Sequence, residues 1–199
     1  MFSLPHKDHP DEGHLECVYT IQHTDTELVS GSRDKTIRIW DLKTCRLMRT
    51  LLGHQASVLC MQADPTPGND IIVSGGSDSL LIVWKYSTGE KIKVINTAHN
   101  ESILNLRFDH RYIVTCSKDK SIKIWNRHAI KPNDAIVPSH VFSHFQASPA
   151  PLLEEHTLLT TLVGHQAAVN AVVIHDDTIV SASGDRTVCL LYTSDAADE

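Results

Sequence analysis

The sequence predicts an all-β fold of about four small antiparallel sheets, four strands each, and three observations carry that prediction. Residues 29–41 read Val-Ser-Gly-Ser-Arg-Asp-Lys-Thr-Ile-Arg-Ile-Trp-Asp. The turn formers of 31–35 separate a strand ending at Val29 and Ser30 from one in which Ile37 and Ile39 share one face and Thr36, Arg38 and Trp40 the other. The phrase then returns at 73–84, 114–125 and 180–191. Finally, a histidine stands 20, 24, 20 and 20 residues ahead of each turn aspartate, pairing His14 with Asp34, His54 with Asp78, His99 with Asp119 and His165 with Asp185.

Three copies place a tryptophan six residues after the aspartate (Trp40, Trp84 and Trp125), whereas the fourth has Leu191. A period of about 40 residues with Gly-His at one end and Trp-Asp at the other resembles the WD-repeat family, whose repeats are blades of a β-propeller. That resemblance implies a partial propeller, about four blades of a ring expected to have seven. Propellers close so that no sheet edge is left open. Residues 14–188 are therefore expected to be a fragment with apolar blade faces exposed at its ends.

In chain order, residues 1–13 are polar and carry Pro5 and Pro10, which predicts a disordered N-terminal segment. The first blade spans about 14–52, with an outer strand at 46–50. The second spans about 53–97. Its longer His-to-Asp spacing fits the turn cluster Pro65-Thr66-Pro67-Gly68, and Ser87-Thr88-Gly89-Glu90 predicts a hairpin turn. The third spans 98–127 and resumes at 158–163, with an outer strand at 158–162. Between lies a loop at 128–157, about 25 residues longer than its counterparts, with Pro132, Pro138, Pro149 and Pro151 and no sustained period. The fourth spans 164–188.

From Cys189 onward the template breaks. The string Cys-Leu-Leu-Tyr-Thr-Ser-Asp-Ala-Ala-Asp-Glu resembles read-through of a sequencing-library adapter. Residues 189–199 are thus expected to be a non-native tail, with a basic residue near 189 and Trp at 191 in the encoded protein.

Composition excludes several function classes. A formal charge of −6 argues against nucleic-acid partners. No apolar run is long enough for a membrane span, and no signal peptide is visible. Five cysteines without CxxC pairs predict free thiols in a reducing compartment, cytoplasmic or nuclear. No phosphate-binding glycine loop, nucleophile elbow or paired carboxylates appear, so a non-enzymatic protein without cofactor is expected. His140, His144 and His156 have no cysteine nearby and are not read as metal ligands.

The repeated His, Asp and Trp are read as structural. In the family they form a hydrogen-bonded network with a strand hydroxyl, here Ser30, Ser74, Thr115 or Ser181. The chemistry agrees: indole donates, carboxylate accepts, and imidazole does both. In the same family, partner-contacting positions are the residue before the turn aspartate and the third and fifth after the loop histidine. These are Arg33, Cys17 and Tyr19; Ser77, Ser57 and Leu59; Lys118, Ser102 and Leu104; and Gly184, Ala168 and Asn170. The set holds two cations and no carboxylate, which suits an anionic peptide with an apolar residue.

Stretches 30–34, 57–60, 114–122, 164–170 and 180–187 are further similar to the beta-transducin-repeat-containing F-box proteins, over roughly 15–127 and 158–188. That resemblance implies a substrate receptor of an SCF-type ubiquitin ligase binding doubly phosphorylated Asp-Ser-Gly degrons. It assigns phosphopeptide contact to Tyr19, Arg33, Ser57, Ser77, Leu104, Lys118, Asn170 and Gly184. These 199 residues hold no F-box, so docking on a cullin-ligase adaptor is expected to need a segment outside them. The alternative is a WD-repeat scaffold that binds proteins without phosphate.

Overall fold

Alternating apolar positions and regularly spaced turns give fifteen strands among the described residues, in the order β1 (Val18–His23), β2 (Glu27–Ser32), β3 (Thr36–Asp41), β4 (Arg46–Leu52), β5 (Val58–Asp64), β6 (Ile71–Gly76), β7 (Leu81–Lys85), β8 (Lys91–Ile95), β9 (Ile103–Phe108), β10 (Tyr112–Ser117), β11 (Ile122–Asn126), β12 (Leu158–Leu162), β13 (Val169–His175), β14 (Thr178–Ser183) and β15 (Val188–Tyr192). The computed structural model describes residues 4–130, 153–175 and 178–192. The chain divides into two units, Met1–Asn105 and Leu106–Glu199.

Strands pair with their sequence neighbours in four antiparallel meanders: β1-β2-β3-β4, β5-β6-β7-β8, β9-β10-β11-β12 and β13-β14-β15. The all-β expectation holds, with the difference that the fourth sheet has three strands among the described residues. Each sheet is one blade. The turn between β2 and β3 and its counterparts place Lys35, Ser79, Lys120 and Arg186 in the left-handed region, at φ 72°, 62°, 71° and 73°. The preceding aspartate holds each turn, accepting from the amide two residues on: Thr36, Leu80, Ser121 and Thr187, at 2.9–3.1 Å. Gly89 (φ 78°) donates its amide to Lys85 O, forming the hairpin read from Ser-Thr-Gly-Glu.

In the first unit, Val29, Ile37, Ile39 and Leu51 of the first blade form one core with Val58, Met61, Ile72, Ile82 and Trp84 of the second. Gln22 fixes their alignment: its amide donates to Ala63 O at 2.8 Å and accepts from Ala63 N at 2.7 Å. Gly31 is required here, because a Cβ would sit 2.7 Å from Thr20 Cγ2 and 2.8 Å from Val58 Cγ1. In the second unit, Val114, Cys116, Ile124 and Leu159 pack with Val169, Val172 and Ile179.

The end blades keep uncovered faces. Seven residues after the loop histidine, Met61, Leu106 and Val172 are 3%, 0% and 2% exposed, whereas Ile21 of the first blade is 66% exposed. Three and five residues after the turn aspartate, Ile37 and Ile39, Leu81 and Val83, and Ile122 and Ile124 are buried. Val188 and Leu190 of the fourth blade are 71% and 53% exposed.

The N-terminal segment departs from the expectation of disorder from residue 4 onward. Residues Pro10–Glu12 form a 3-10 turn. Glu12 accepts two bonds from Arg46 Nε and one from Arg46 Nη2 at 2.6–3.1 Å, and one from the Leu47 amide at 2.9 Å. Arg38 donates to the carbonyls of Glu12 and Gly13. The physical reason is charge: two strand arginines meet a segment supplying one carboxylate and a cluster of carbonyls.

The outer strand of the third blade resumes at β12, as predicted, but the loop is narrower than 128–157. Ile130 and Leu153 exchange both backbone hydrogen bonds, at 2.9 and 3.0 Å, and Leu153 is buried. Asn126 Nδ2 donates to His128 O and Glu154 O, both at 2.7 Å, pinning the two ends. The central part of the loop, with His140 and His144, lies outside the described residues. So do residues 193–199 of the expected tail, while 189–192 belong to β15.

Candidate functional site

The His, Ser, Asp and Trp of the second blade form one directed chain. Trp84 Nε1 donates to Ser74 Oγ at 2.8 Å, His54 Nε2 lies 2.8 Å from the same oxygen, and His54 Nδ1 lies 2.9 Å from Asp78 Oδ2. Asp78 can only accept, so Nδ1 carries the proton and Nε2 accepts from the serine hydroxyl. The first blade repeats the geometry: Trp40 to Ser30 at 2.8 Å, His14 to Ser30 at 2.8 Å and His14 to Asp34 at 2.8 Å. In the third, Trp125 Nε1 donates to Thr115 Oγ1 at 3.0 Å. In the fourth, His165 bridges Ser181 and Asp185, both at 2.9 Å, with Leu191 where an indole stands elsewhere. His99, predicted to join the third network, is buried in the first unit, and Asp119 accepts from the Ser121 amide and hydroxyl in the second.

Sequence reasoning overlooked the hydroxyl two residues after the aspartate. Thr36, Ser121 and Thr187 donate to the carboxylates of Asp34, Asp119 and Asp185 at 2.6, 2.6 and 2.5 Å. The signal was present, since three of four copies have Thr or Ser there. Burial pushes the Asp34 carboxyl up, but bonds from Thr36, His14 and the Leu15 and Thr36 amides outweigh it and hold it well below the usual carboxylate range. Asp78 is held low against burial by His54. Asp185 is held low chiefly by Thr187. Burial depresses His14 despite Asp34, which keeps its imidazole neutral. These groups are bonded to one another and are the frame of each blade.

Beside this frame, the predicted contact residues sit where the turn before β3 and its counterparts meets the loop from the histidine. In the first unit, Arg33 N donates to Cys17 O at 2.8 Å and Ser77 N to Ser57 O at 2.9 Å. Gly76 allows that approach, since a Cβ there would collide with Ser57 O. Tyr19 is the extra residue of a bulge between Val18 and Thr20, and Leu59 occupies the same position in the second blade. A bulge leaves its residue outside the ladder and re-aims its side chain, and Tyr19 is 51% exposed. Arg33 and Ser77 are exposed; Ser57 and Leu104 are half-buried.

Other first-unit arginines are engaged: Arg38 and Arg46 with the Glu12 region, Arg49 with Ser87 O and Glu27. The Arg33 guanidinium has no hydrogen-bond or ion-pair partner among the described residues.

In the second unit, Gly184 N donates to Ala168 O at 2.9 Å, and Asn170 is the bulge residue between Val169 and Ala171. Asn170 Nδ2 would lie 3.9 Å from a Cβ on Gly184, so these two residues are brought together. Lys118 is exposed at the turn after β10. No group of three or more His, Cys, Asp or Glu among the described residues is placed to hold a metal.

The family described as WD40, "WD domain, G-beta repeat", matches residues 7–41, 45–85, 89–126 and 156–190, one segment for each sheet. The chain belongs to the WD-repeat family. Among curated WD-repeat relatives, it is 31% identical to Mitochondrial division protein 1 of Kluyveromyces lactis over 94% of this chain and 27% of that protein. It is 27% identical to Small ribosomal subunit protein RACK1 of Drosophila melanogaster over 66% of this chain and 42% of that protein. This WD-repeat chain therefore spans less than half the length of either. Among solved structures, the computationally designed Ika4 protein matches with a TM-score of 0.71 and 28% identity, over 92% of this chain and 95% of that one. Domains of the WD-repeat family bind protein partners, and none of the relatives named here is an F-box protein.

Proposed function

We propose that this WD-repeat chain is a non-catalytic, protein-binding module that reads a phosphorylated acidic peptide, as the substrate-recognition part of an SCF-type ubiquitin ligase receptor. The observation that carries this reading is Arg33, an exposed guanidinium without a partner in a unit whose other arginines are committed. A guanidinium can grip two phosphate oxygens at once. The hydroxyls of Ser57 and Ser77, on backbones tied together at 2.9 Å, supply further donors. Tyr19 and Leu104 would take the apolar part of the peptide. Docking on a cullin-ligase adaptor would fall to an F-box elsewhere in the full-length protein. None of the five cysteines is joined in a disulfide, which supports a cytoplasmic or nuclear setting.

A second reading is a phosphate-independent scaffold, favoured by relatives that are WD-repeat proteins of other kinds. Titration of a doubly phosphorylated Asp-Ser-Gly peptide and its unphosphorylated form separates the two. Tighter binding of the phosphorylated peptide supports the receptor; equal affinity overturns it and favours the scaffold.

A further inference from the structure

The residue after the loop histidine is polar in three repeats, as Gln55, Asn100 and Gln166, and apolar in one, as Leu15. The backbone has one task at this position. Leu15 N donates to Asp34 Oδ2 at 3.0 Å, Gln55 N to Asp78 Oδ2 at 2.7 Å and Gln166 N to Asp185 Oδ2 at 2.9 Å. The fold uses the amide here and is served equally by glutamine. Leu15 is 84% exposed, and leaving that much aliphatic surface in water gains nothing for the blade.

Ring closure does not account for the leucine. In the first unit the second blade already has a preceding blade packed on it, through the core that joins Val29, Ile37 and Leu51 to Met61, Ile72 and Trp84. With that neighbour in place, Met61 is buried at the position where Ile21 is exposed, yet Gln55 stays exposed. A blade preceding the first would therefore cover Ile21 and leave Leu15 open.

The surroundings of Leu15 indicate the kind of partner. Its amide is tied to the turn carboxylate, and two residues further on Cys17 O accepts from Arg33 N at 2.8 Å. The stretch that presents Leu15 is thereby fastened to the turn that presents Arg33. Asp34 has both oxygens engaged inside the blade, Oδ2 by His14 and Leu15 and Oδ1 by the Thr36 amide and hydroxyl, at 2.6–3.0 Å. Arg33 and Lys35, on either side of it, are exposed. An exposed leucine on a stretch fastened to a doubly cationic turn suits a peptide that carries an anion and, near it, an aliphatic side chain. Glu16, also exposed, disfavours an acidic residue at that second position.

We propose, resting on the phosphopeptide reading above, that Leu15 takes an aliphatic side chain of the same peptide, at a residue flanking the phosphorylated motif. Leu15 then sets a sequence preference outside the Asp-Ser-Gly core, separate from the phosphate grip of Arg33.

The test is titration of the parent and of Leu15→Gln with doubly phosphorylated Asp-Ser-Gly peptides in which one leucine is moved along the flanking residues, each matched by its alanine form. Glutamine stands at the matching positions 55 and 166, so the variant keeps the fold. At one flanking position the parent should bind the leucine peptide about threefold to tenfold more tightly than the alanine peptide, the effect of partly burying one leucine side chain. Leu15→Gln should abolish that ratio and Leu15→Met should retain most of it, and both should keep the parent's preference for phosphorylated over unphosphorylated peptide. No leucine preference in the parent, or an undiminished one in Leu15→Gln, would overturn the role of Leu15 and leave phosphate recognition by Arg33 standing. Equal affinity of the parent for phosphorylated and unphosphorylated peptides would overturn the phosphopeptide reading and this role of Leu15 with it.

Discussion

His54 Nδ1 lies 2.9 Å from Asp78 Oδ2, with side chains 1% and 4% exposed, and the pair closes a chain that begins at the Trp84 indole. Because His54 is bonded at both nitrogens and points at no solvent, His54→Ala should act on folding. It removes the histidine partner of both the Ser74 hydroxyl and the buried Asp78 carboxylate, at a cost of roughly 1–3 kcal/mol. Denaturant unfolding should show that loss, and phosphopeptide affinity of the folded fraction should match the parent. Weaker binding at unchanged stability would reassign His54 to the site.

Acid should weaken the fold in two stages. His14 titrates below its ordinary value of 6.5 because burial disfavours its charged form. The unfolded chain therefore binds more protons as pH falls through 6.5, and the stability that His14 contributes, complete above it, is lost below. Asp34, Asp78 and Asp185 titrate below their ordinary 3.8, so their contribution is complete above that value and is lost at lower pH. Midpoints of thermal unfolding should be flat above about pH 7, fall first below 6.5 and fall again below about 4. A midpoint that rises on acidification from pH 7 to 5 would contradict the depressed His14.

The N-terminal segment offers a simple protease assay. Arg46 and the Leu47 amide hold the Glu12 carboxyl, and this pulls its pKa to about 2. Glu12→Gln removes the charge and leaves Arg46 without its anion. Trypsin should then cut after Lys7 faster than in the parent, with little change in the melting temperature. Equal cutting rates would show that the Arg38 bonds to the Glu12 and Gly13 carbonyls suffice.

The long loop should tolerate deletion only between its closing residues. Replacing 131–152 by a short turn keeps the Ile130–Leu153 bridge and the bonds from Asn126, so stability should stay near the parent's. Deleting 128–157 removes the buried Leu153 and three partners of the Asn126 side chain, and the melting temperature should drop clearly. Equal melting temperatures for both deletions would show that the bridge contributes nothing.

What the sequence reveals and hides follows from where the information lies. Strands, turns and the spacing of His, strand hydroxyl and Asp repeat four times in register, and the Trp three times, so spacing alone exposes them. The bulges at Tyr19 and Asn170 are backbone events that no single residue type marks. The Glu12 clamp joins residues 34 apart through ordinary surface charges. The Ile130–Leu153 closure joins two unremarkable aliphatics across a loop without period. The clamp and the closure are pairings made in space by a chain that does not repeat them.

The sharpest prediction for function concerns Arg33. Its backbone is fixed by the bond to Cys17 O at 2.8 Å while its side chain is exposed and uncommitted, so a substitution there should leave the blade intact. Charge-assisted hydrogen bonds contribute about 1.5–3 kcal/mol each. In a complete propeller, Arg33→Ala should weaken a doubly phosphorylated Asp-Ser-Gly peptide at least about tenfold. Arg33→Lys should recover only part of that, because an ammonium cannot match two oxygens of one phosphate. Tyr19→Ala and Leu104→Ala should weaken both phosphorylated and unphosphorylated peptides and keep the ratio between them. Peptide titration of the parent and the variants reads all of these. If Arg33→Ala lowers affinity for both peptides equally, Arg33 contributes contact area and not phosphate recognition.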